Sequence, residues 1–349
     1  MNDNQSERLM NILEEAMAPY KKYVRDLRWQ SWGKTFLFVL LFIEAISFLR
    51  VMNKVKNKEE RNSPPAVAAD QGIGIDYLDK SLKSDDVVVV VPIDGVISEG
   101  GKDGNMAKDV KNMLSSARKN PRVKAVILKV ESPGGTVNAS NLIWNEIMKF
   151  KKSGKPVVAF FNGMAASGGY YISAPADKIV ATPETLTGSI GVIMQIPNYS
   201  KLLDKVGVSF NTVKSGARKD MLSPYKPSDE EDRKIAQSLV DGAFNRFVKK
   251  VADGRKIKEG DVRVLADGRI YDAEQALGIK LIDRIGYIED AFKEAKTLAK
   301  LNDASLARYY RKKNIFDEFF SAIGNRSLIN VEQPVSMQAP GLYYLWTGN

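Results

Sequence analysis

From Asp86 onward the apolar positions fall in short unbroken runs separated by polar stretches containing Gly and Pro. Val87–Val91 is five consecutive valines, continued by PIDGVI; VKAVILKV (Val123–Val130), PVVAFF (Pro156–Phe161) and KIVA (Lys178–Ala181) follow. Their β-branched content and lack of alternation predict strands covered on both faces. Between them the period lengthens. Asn141–Lys152 sets Ile143, Ile147 and Phe150 on one face beside Trp144 and Met148, and stops at Ser153-Gly154, as a helix does. A later helix is predicted to open on a capping box, Ser228 with Glu231, and to carry Ile235, Leu239, Phe244, Val248 and Val251. Strands alternating with helices predict an α/β domain with a largely parallel sheet.

The N-terminal pattern is different. Thr35–Leu49, TFLFVLLFIEAISFL, is apolar apart from Glu44 and two hydroxyls, and Lys34 and Arg50 bound it. Extended to Trp32–Met52, with the basic residues snorkelling, it reaches the ~20 residues of a spanning helix. Trp29 and Trp32 suit an interfacial belt, and Glu44 would face a partner helix or be protonated. A cleaved signal peptide is the rival, but the apolar run starts late and Ala66-Val67-Ala68 lies far beyond it. Basic residues flank both ends equally, so charge does not orient the segment. The predicted organisation is a head over 1–31, an anchor over 32–52 and a linker over 53–80, with Asn62–Asp76 small and nearly uncharged. A globular domain over 81–324 and a tail over 325–349 complete it.

Composition narrows the chemistry. The 349 residues include no histidine and no cysteine, and 52 basic residues against 42 acidic ones give a net charge of +10. A Ser-His-Asp triad, imidazole or thiolate metal ligands, disulfides and iron–sulfur clusters are excluded. No basic run interleaved with aromatics suggests nucleic acid; a basic protein near anionic lipid is the simpler reading. No cofactor and no metal site are predicted.

Glycine-rich stretches carry the candidate chemistry. ESPGG (Glu131–Gly135) and GMAASGGYY (Gly163–Tyr171) each follow a predicted strand. Such turns can aim backbone N–H groups at a ligand oxygen, or simply allow close packing. Ser167 lies among residues with almost no side chain, with room for a carbonyl beside it. TGSIGV (Thr187–Val192) reads as a tight turn, and KSGARKD (Lys214–Asp220) as a basic loop. A serine nucleophile without histidine needs another base. Lysine is about one part in 2,500 neutral at pH 7, and making it neutral costs about 4–5 kcal/mol. Burial, a neighbouring cation such as Arg218, and hydroxyl hydrogen bonds can supply such a shift.

ESPGG, then GMAASGGYYISAPADKIVATPETLTGSIGV, KSGARKDMLSP and ADGRIYDAEQALGIKLIDRIG, in that order from about Val87 to Gly286, resemble the signal peptide peptidase A family in its short, single-repeat form. The resemblance implies a ClpP/crotonase-like fold of repeated β-β-α units behind one N-terminal transmembrane helix. It implies a serine peptidase with Ser167 as nucleophile, Lys219 as base and Ser189 holding the lysine amine. Gly135, with Gly134, and the Gly168 amide would form the oxyanion hole. Lys214 is the local rival for the base. Expected substrates are cleaved signal peptides and other short apolar peptides. A homo-oligomeric ring is implied, with Ser and Lys from neighbouring protomers, and a catalytic domain on the outer face of the bacterial cytoplasmic membrane. The tail, ending QAPGLYYLWTGN, would dock on the ring or lie in an active site as a product-like peptide. Two alternatives remain at this point: a crotonase-like enzyme acting on acyl thioesters, and an inactive membrane-bound scaffold.

Overall fold

The computed structural model describes residues 43, 44, 47, 73–78, 84–100, 105–311 and 341–346. The chain divides into two compact units, Met1–Ala66 and Val67–Asn349. In the first, Ile43, Glu44 and Ser47 are helical and exposed. The predicted anchor, 32–52, otherwise lies outside the described residues, among which no helix is long and apolar enough to cross a membrane.

The second unit is built on a nine-stranded sheet. Its main path runs β1 (Ile73–Tyr77), β10 (Ser305–Arg311), β2 (Val87–Asp94), β3 (Val123–Ser132), β5 (Val157–Ala166), β6 (Lys178–Ala181) and β9 (Arg284–Ile285). Every pairing along it is parallel except β1 with β10. Off it, β7 (Leu186–Gly188) extends beside the end of β5, and β8 (Ile270–Tyr271) pairs antiparallel with β7. The valine run explains the layering. Val87, Val89 and Val91 enter the larger core, whereas Val88 and Val90 enter a second core on the opposite face. Ala125 and Ile127 face the second core, and Val126 and Leu128 the first. Both faces are dry, so no alternation with polar residues is needed.

The larger core is covered by α1 (Met106–Lys119), α2 (Val137–Lys151), α3 (Gly168–Ser173) and α5 (Glu230–Arg255). Between α3 and α5 the chain forms α4 (Ser200–Lys205) and a long loop. The elements α6 (Glu259–Leu265) and α7 (Ala273–Gly278) follow α5, and α8 (Ile288–Leu298) covers the second face. One complete β-β-α unit is β3, β4 (Gly134–Thr136) and α2; a reduced one is β2, a single-residue bridge at Ile97, and α1.

Four expectations shift. Ile73–Tyr77, inside the expected linker, is strand β1, because its backbone completes an antiparallel ladder on β10. The helix after the loop is capped by Asp229, not Ser228: the Asp229 carboxylate accepts from the amides of Glu231 and Asp232, an ionised cap in place of a hydroxyl. On that helix Leu239 is exposed, and burial falls on Ala236, Ala243, Phe247, Val248 and Val251. The tail also enters the domain: β11 (Tyr343–Leu345) pairs antiparallel with β4.

Candidate active site

Ser167 occupies the single residue between β5 and α3. Its N–H donates to the Gly188 carbonyl at 2.8 Å, and its carbonyl accepts from the Tyr171 N–H at 2.8 Å. These bonds hold it at φ 53°, ψ −112°, a conformation that costs a non-glycine residue about 1–3 kcal/mol. Its hydroxyl makes no capping hydrogen bond to α3. Such strain on a serine between a strand and a helix follows the logic of a nucleophile elbow, in which the backbone turn presents the hydroxyl. With α3 only six residues long, the local N–H groups matter more here than a helix dipole.

Ser189 sits beside it for a topological reason. β5 and β7 run parallel in the register Ala166–Gly188, so Ser167 and Ser189 are the first residues past two neighbouring strand ends. Ser189 is also left-handed, at φ 48°, buried, and donates its N–H to the Arg269 carbonyl at 2.8 Å.

The three expected oxyanion glycines are in mutual contact. A Cβ on Gly168 would lie 3.0 Å from the Gly135 nitrogen and 3.1 Å from Gly134 Cα, and one on Gly134 would lie 2.7 Å from the Gly168 nitrogen. Only residues without side chains let these backbones approach. Gly134 itself is not a free donor, since its N–H is bound to Ser132 Oγ at 3.1 Å. Ser132 thus leaves the Gly135 and Gly168 amides of this cluster, with Gly135 registered opposite Tyr344 of β11.

β4 is one wall of a slot, and β11 occupies it. Tyr344 is registered opposite Gly135 and Leu345 opposite Gly134. On its other edge Tyr343 exchanges both backbone hydrogen bonds with Ile193, each at 3.1 Å. The Tyr344 carbonyl oxygen is 2.0 Å from where a Gly134 Cβ would stand. The Tyr344 ring is fully buried, stacked on Tyr171 at 4.8 Å and tilted on Phe247 at 4.7 Å, with its hydroxyl donating to the Ala243 carbonyl at 3.1 Å. Burial pushes the Tyr171 hydroxyl up to about 12 and raises that of Tyr344 as well. Sequence reasoning missed Ile193, Ile97 and the Tyr344 seat; the aromatic cluster in GLYYLW was the available signal.

Lys219 is elsewhere in character. It is exposed on the loop after α4, and among the described residues no hydrogen bond joins its ammonium to Ser167. Lys214, the rival, is bound to the Asp220 carboxylate at 2.7 Å and to the Ala217 carbonyl at 3.0 Å. Arg218 does not act as an unmatched cation beside Lys219: Asp229 at 2.8 Å, Asp232 at 2.9 Å and Glu231 all engage it and raise its pKa. Lys226 bridges Asp220 and Asp232. The loop is thus pinned to the start of α5 while Lys219 projects. Leu202, Val206, Val208, Phe210 and Val213 on the same segment are exposed. Among the described residues no group of three acidic side chains is placed to hold a metal ion.

A model of peptidase family S49 matches residues 149–302, and one of Clp protease matches residues 85–187. A protein of Enterococcus faecium that carries the name of signal peptide peptidase SppA is 45% identical over 246 residues, 68% of this chain and 71% of that protein. The chain belongs to peptidase family S49. Protease 4 of Salmonella typhi is 37% identical over 249 residues, 70% of this chain and 40% of that larger protein. The chloroplastic serine protease SPPA of Arabidopsis thaliana is 32% identical over 232 residues, 65% of this chain and 34% of that protein. This S49 member is a serine peptidase with a ClpP-like α/β fold.

Proposed function

We propose that this S49 peptidase is a membrane-anchored endopeptidase with a Ser167–Lys219 dyad, acting on cleaved signal peptides and other membrane-released peptides at the outer face of the cytoplasmic membrane. The observation that carries the reading is Ser167 itself: a strained, buried serine whose neighbours are the Gly135 and Gly168 amides and whose flank is a slot already holding an extended strand. A substrate backbone would add to β4 as β11 does, by strand pairing. Ser167 Oγ would then attack the scissile carbonyl carbon while a neutral Lys219 amine accepts its proton. The two amides would hold the oxyanion. The lysine would return the proton to the leaving nitrogen as the C–N bond breaks, and then activate water against the ester. Ser189 would orient the amine.

A neutral lysine calls for desolvation, and Lys219 is exposed in one chain. The exposed apolar side chains around it favour a second copy as the cover, so that serine and lysine come from adjacent protomers of a ring. The test is fluorophosphonate labelling of the wild type, Ser167→Ala and Lys219→Ala. Labelling should disappear in both variants; labelling that survives Ser167→Ala removes Ser167 as the nucleophile.

A further inference from the structure

Ser132 is a buried hydroxyl that the chemistry above leaves unused. It ends β3, opposite Ala165 near the end of β5. Its Oγ accepts the Gly134 N–H at 3.1 Å and lies 3.4 Å from the Gly134 carbonyl oxygen, to which it donates. One side chain therefore closes over Pro133 and engages both polar groups of Gly134, whose backbone stands at φ 106°. The Ile97 N–H donates to the same carbonyl at 2.8 Å. That carbonyl shares a peptide plane with the Gly135 N–H, so fixing the oxygen fixes the direction of the amide. Its backbone also packs beside the residue that follows Gly168: a Cβ on Gly169 would stand 3.0 Å from the Ser132 carbonyl oxygen.

We infer that Ser132 is a positioning residue for the oxyanion hole, its hydroxyl acting through the Gly134–Gly135 peptide plane. The inference rests on Ser167 as nucleophile with Gly135 and Gly168 as donors. It differs from simple core packing in what it predicts: an aim that improves transition-state binding appears in kcat, not in KM.

The experiment uses the full chain with Ser132→Ala, and Ser305→Ala as a burial-matched control on β10, whose hydroxyl donates to the distant Ser84 carbonyl. Steady-state kinetics on a fluorogenic peptide are measured beside the rate of Ser167 labelling by a fluorophosphonate, with active-site titration and the thermal midpoint. For Ser132→Ala, kcat and labelling rate should fall together by about 10- to 100-fold. KM should stay within about twofold, and Ser305→Ala should match the wild type. A kcat within about threefold of the wild type overturns the inference, as does a loss accounted for entirely by fewer titratable sites. If the wild type itself is not labelled at Ser167, the nucleophile assignment fails instead.

Discussion

Replacing Tyr344 by alanine separates a displaceable tail from a permanent one. Ordering the six described tail residues, 341–346, costs about 1–2 kcal/mol each, or about 6–12 in all. Against this stand six backbone hydrogen bonds: Val137 to Leu342, Trp346 to Pro133, the reciprocal pair of Tyr343 with Ile193, and the reciprocal ladder pair of Tyr344 with Gly135. At about 0.5–1.5 kcal/mol each they contribute about 3–9. The buried Tyr344 ring, with its two aromatic neighbours and its hydroxyl bond, contributes about 3–5 kcal/mol on the scale of aromatic-to-alanine core substitutions. The terms nearly cancel, so docking is marginal and the ring decides it. Tyr344→Ala should weaken docking by two to four orders of magnitude, at about 1.4 kcal/mol per factor of ten. Hydrogen exchange at the Tyr343 and Trp346 amides should then lose protection, and KM for an added peptide should fall as the slot opens. Loss of protection with KM unchanged refutes the idea that tail and substrate share the slot. A lowered unfolding temperature for the whole domain makes the tail part of the permanent core.

Gly135→Ala puts a Cβ 1.9 Å from the Ile97 carbonyl oxygen, with the Ile97 carbon and nitrogen at 2.6 and 2.7 Å. Since backbone must give way, peptidase activity should fall by about 100-fold or more, as expected for an ångström-scale displacement of catalytic groups; steady-state kinetics check it. Chains carrying Ser167→Ala and Lys219→Ala, each inactive, should regain about one quarter of wild-type activity when randomly assembled, if sites are shared around a ring; no recovery in verified mixed assemblies excludes sharing. Acid should release the Lys219 loop. Lys214 holds the Asp220 carboxyl, the Glu231 amide that of Asp229, and Lys226 that of Asp232 below the usual carboxylate range. Groups so depressed stabilise the folded loop above that range and lose the contribution as pH falls through the folded values. Protease cleavage within 214–226 should therefore rise as the pH falls below the usual carboxylate range, and cleavage that does not change with pH there argues against the ionic pin.

The sheet was legible because burial on both faces writes itself as unbroken apolar runs, and each of the four runs became a strand. What sequence patterning hides is pairing between segments far apart in the chain. β1 does not announce itself, since IGIDY has two polar or small members in five and no long apolar run; its stability comes from β10, more than 200 residues away. The Asp229 cap was missed by one residue because the Ser228–Glu231 spacing satisfies the capping rule equally well, and only the backbone decides which oxygen reaches the amides.

The site divides along the same physical line. Ser167, Ser189 and the glycines were legible because their requirement is local: a backbone that turns sharply and carries almost no side chain announces itself as glycine and serine at strand ends. The different surroundings of Gly134 and Gly135 were not, because only the fold shows that Ser132 Oγ claims the Gly134 N–H. Lys219 belongs to neither class. In a single chain it is a surface lysine beside an ion network, and what distinguishes it from Lys214 is that Asp220 binds Lys214. The ionic contacts fix the loop around Lys219 while leaving its amine for another surface. In the proposed ring, assembly would both cover the exposed apolar segment and bring a desolvated lysine to a serine already held by its own chain. Activity should therefore depend on protein concentration more steeply than folding does, because the strained serine is formed within one fold and the base is completed between two.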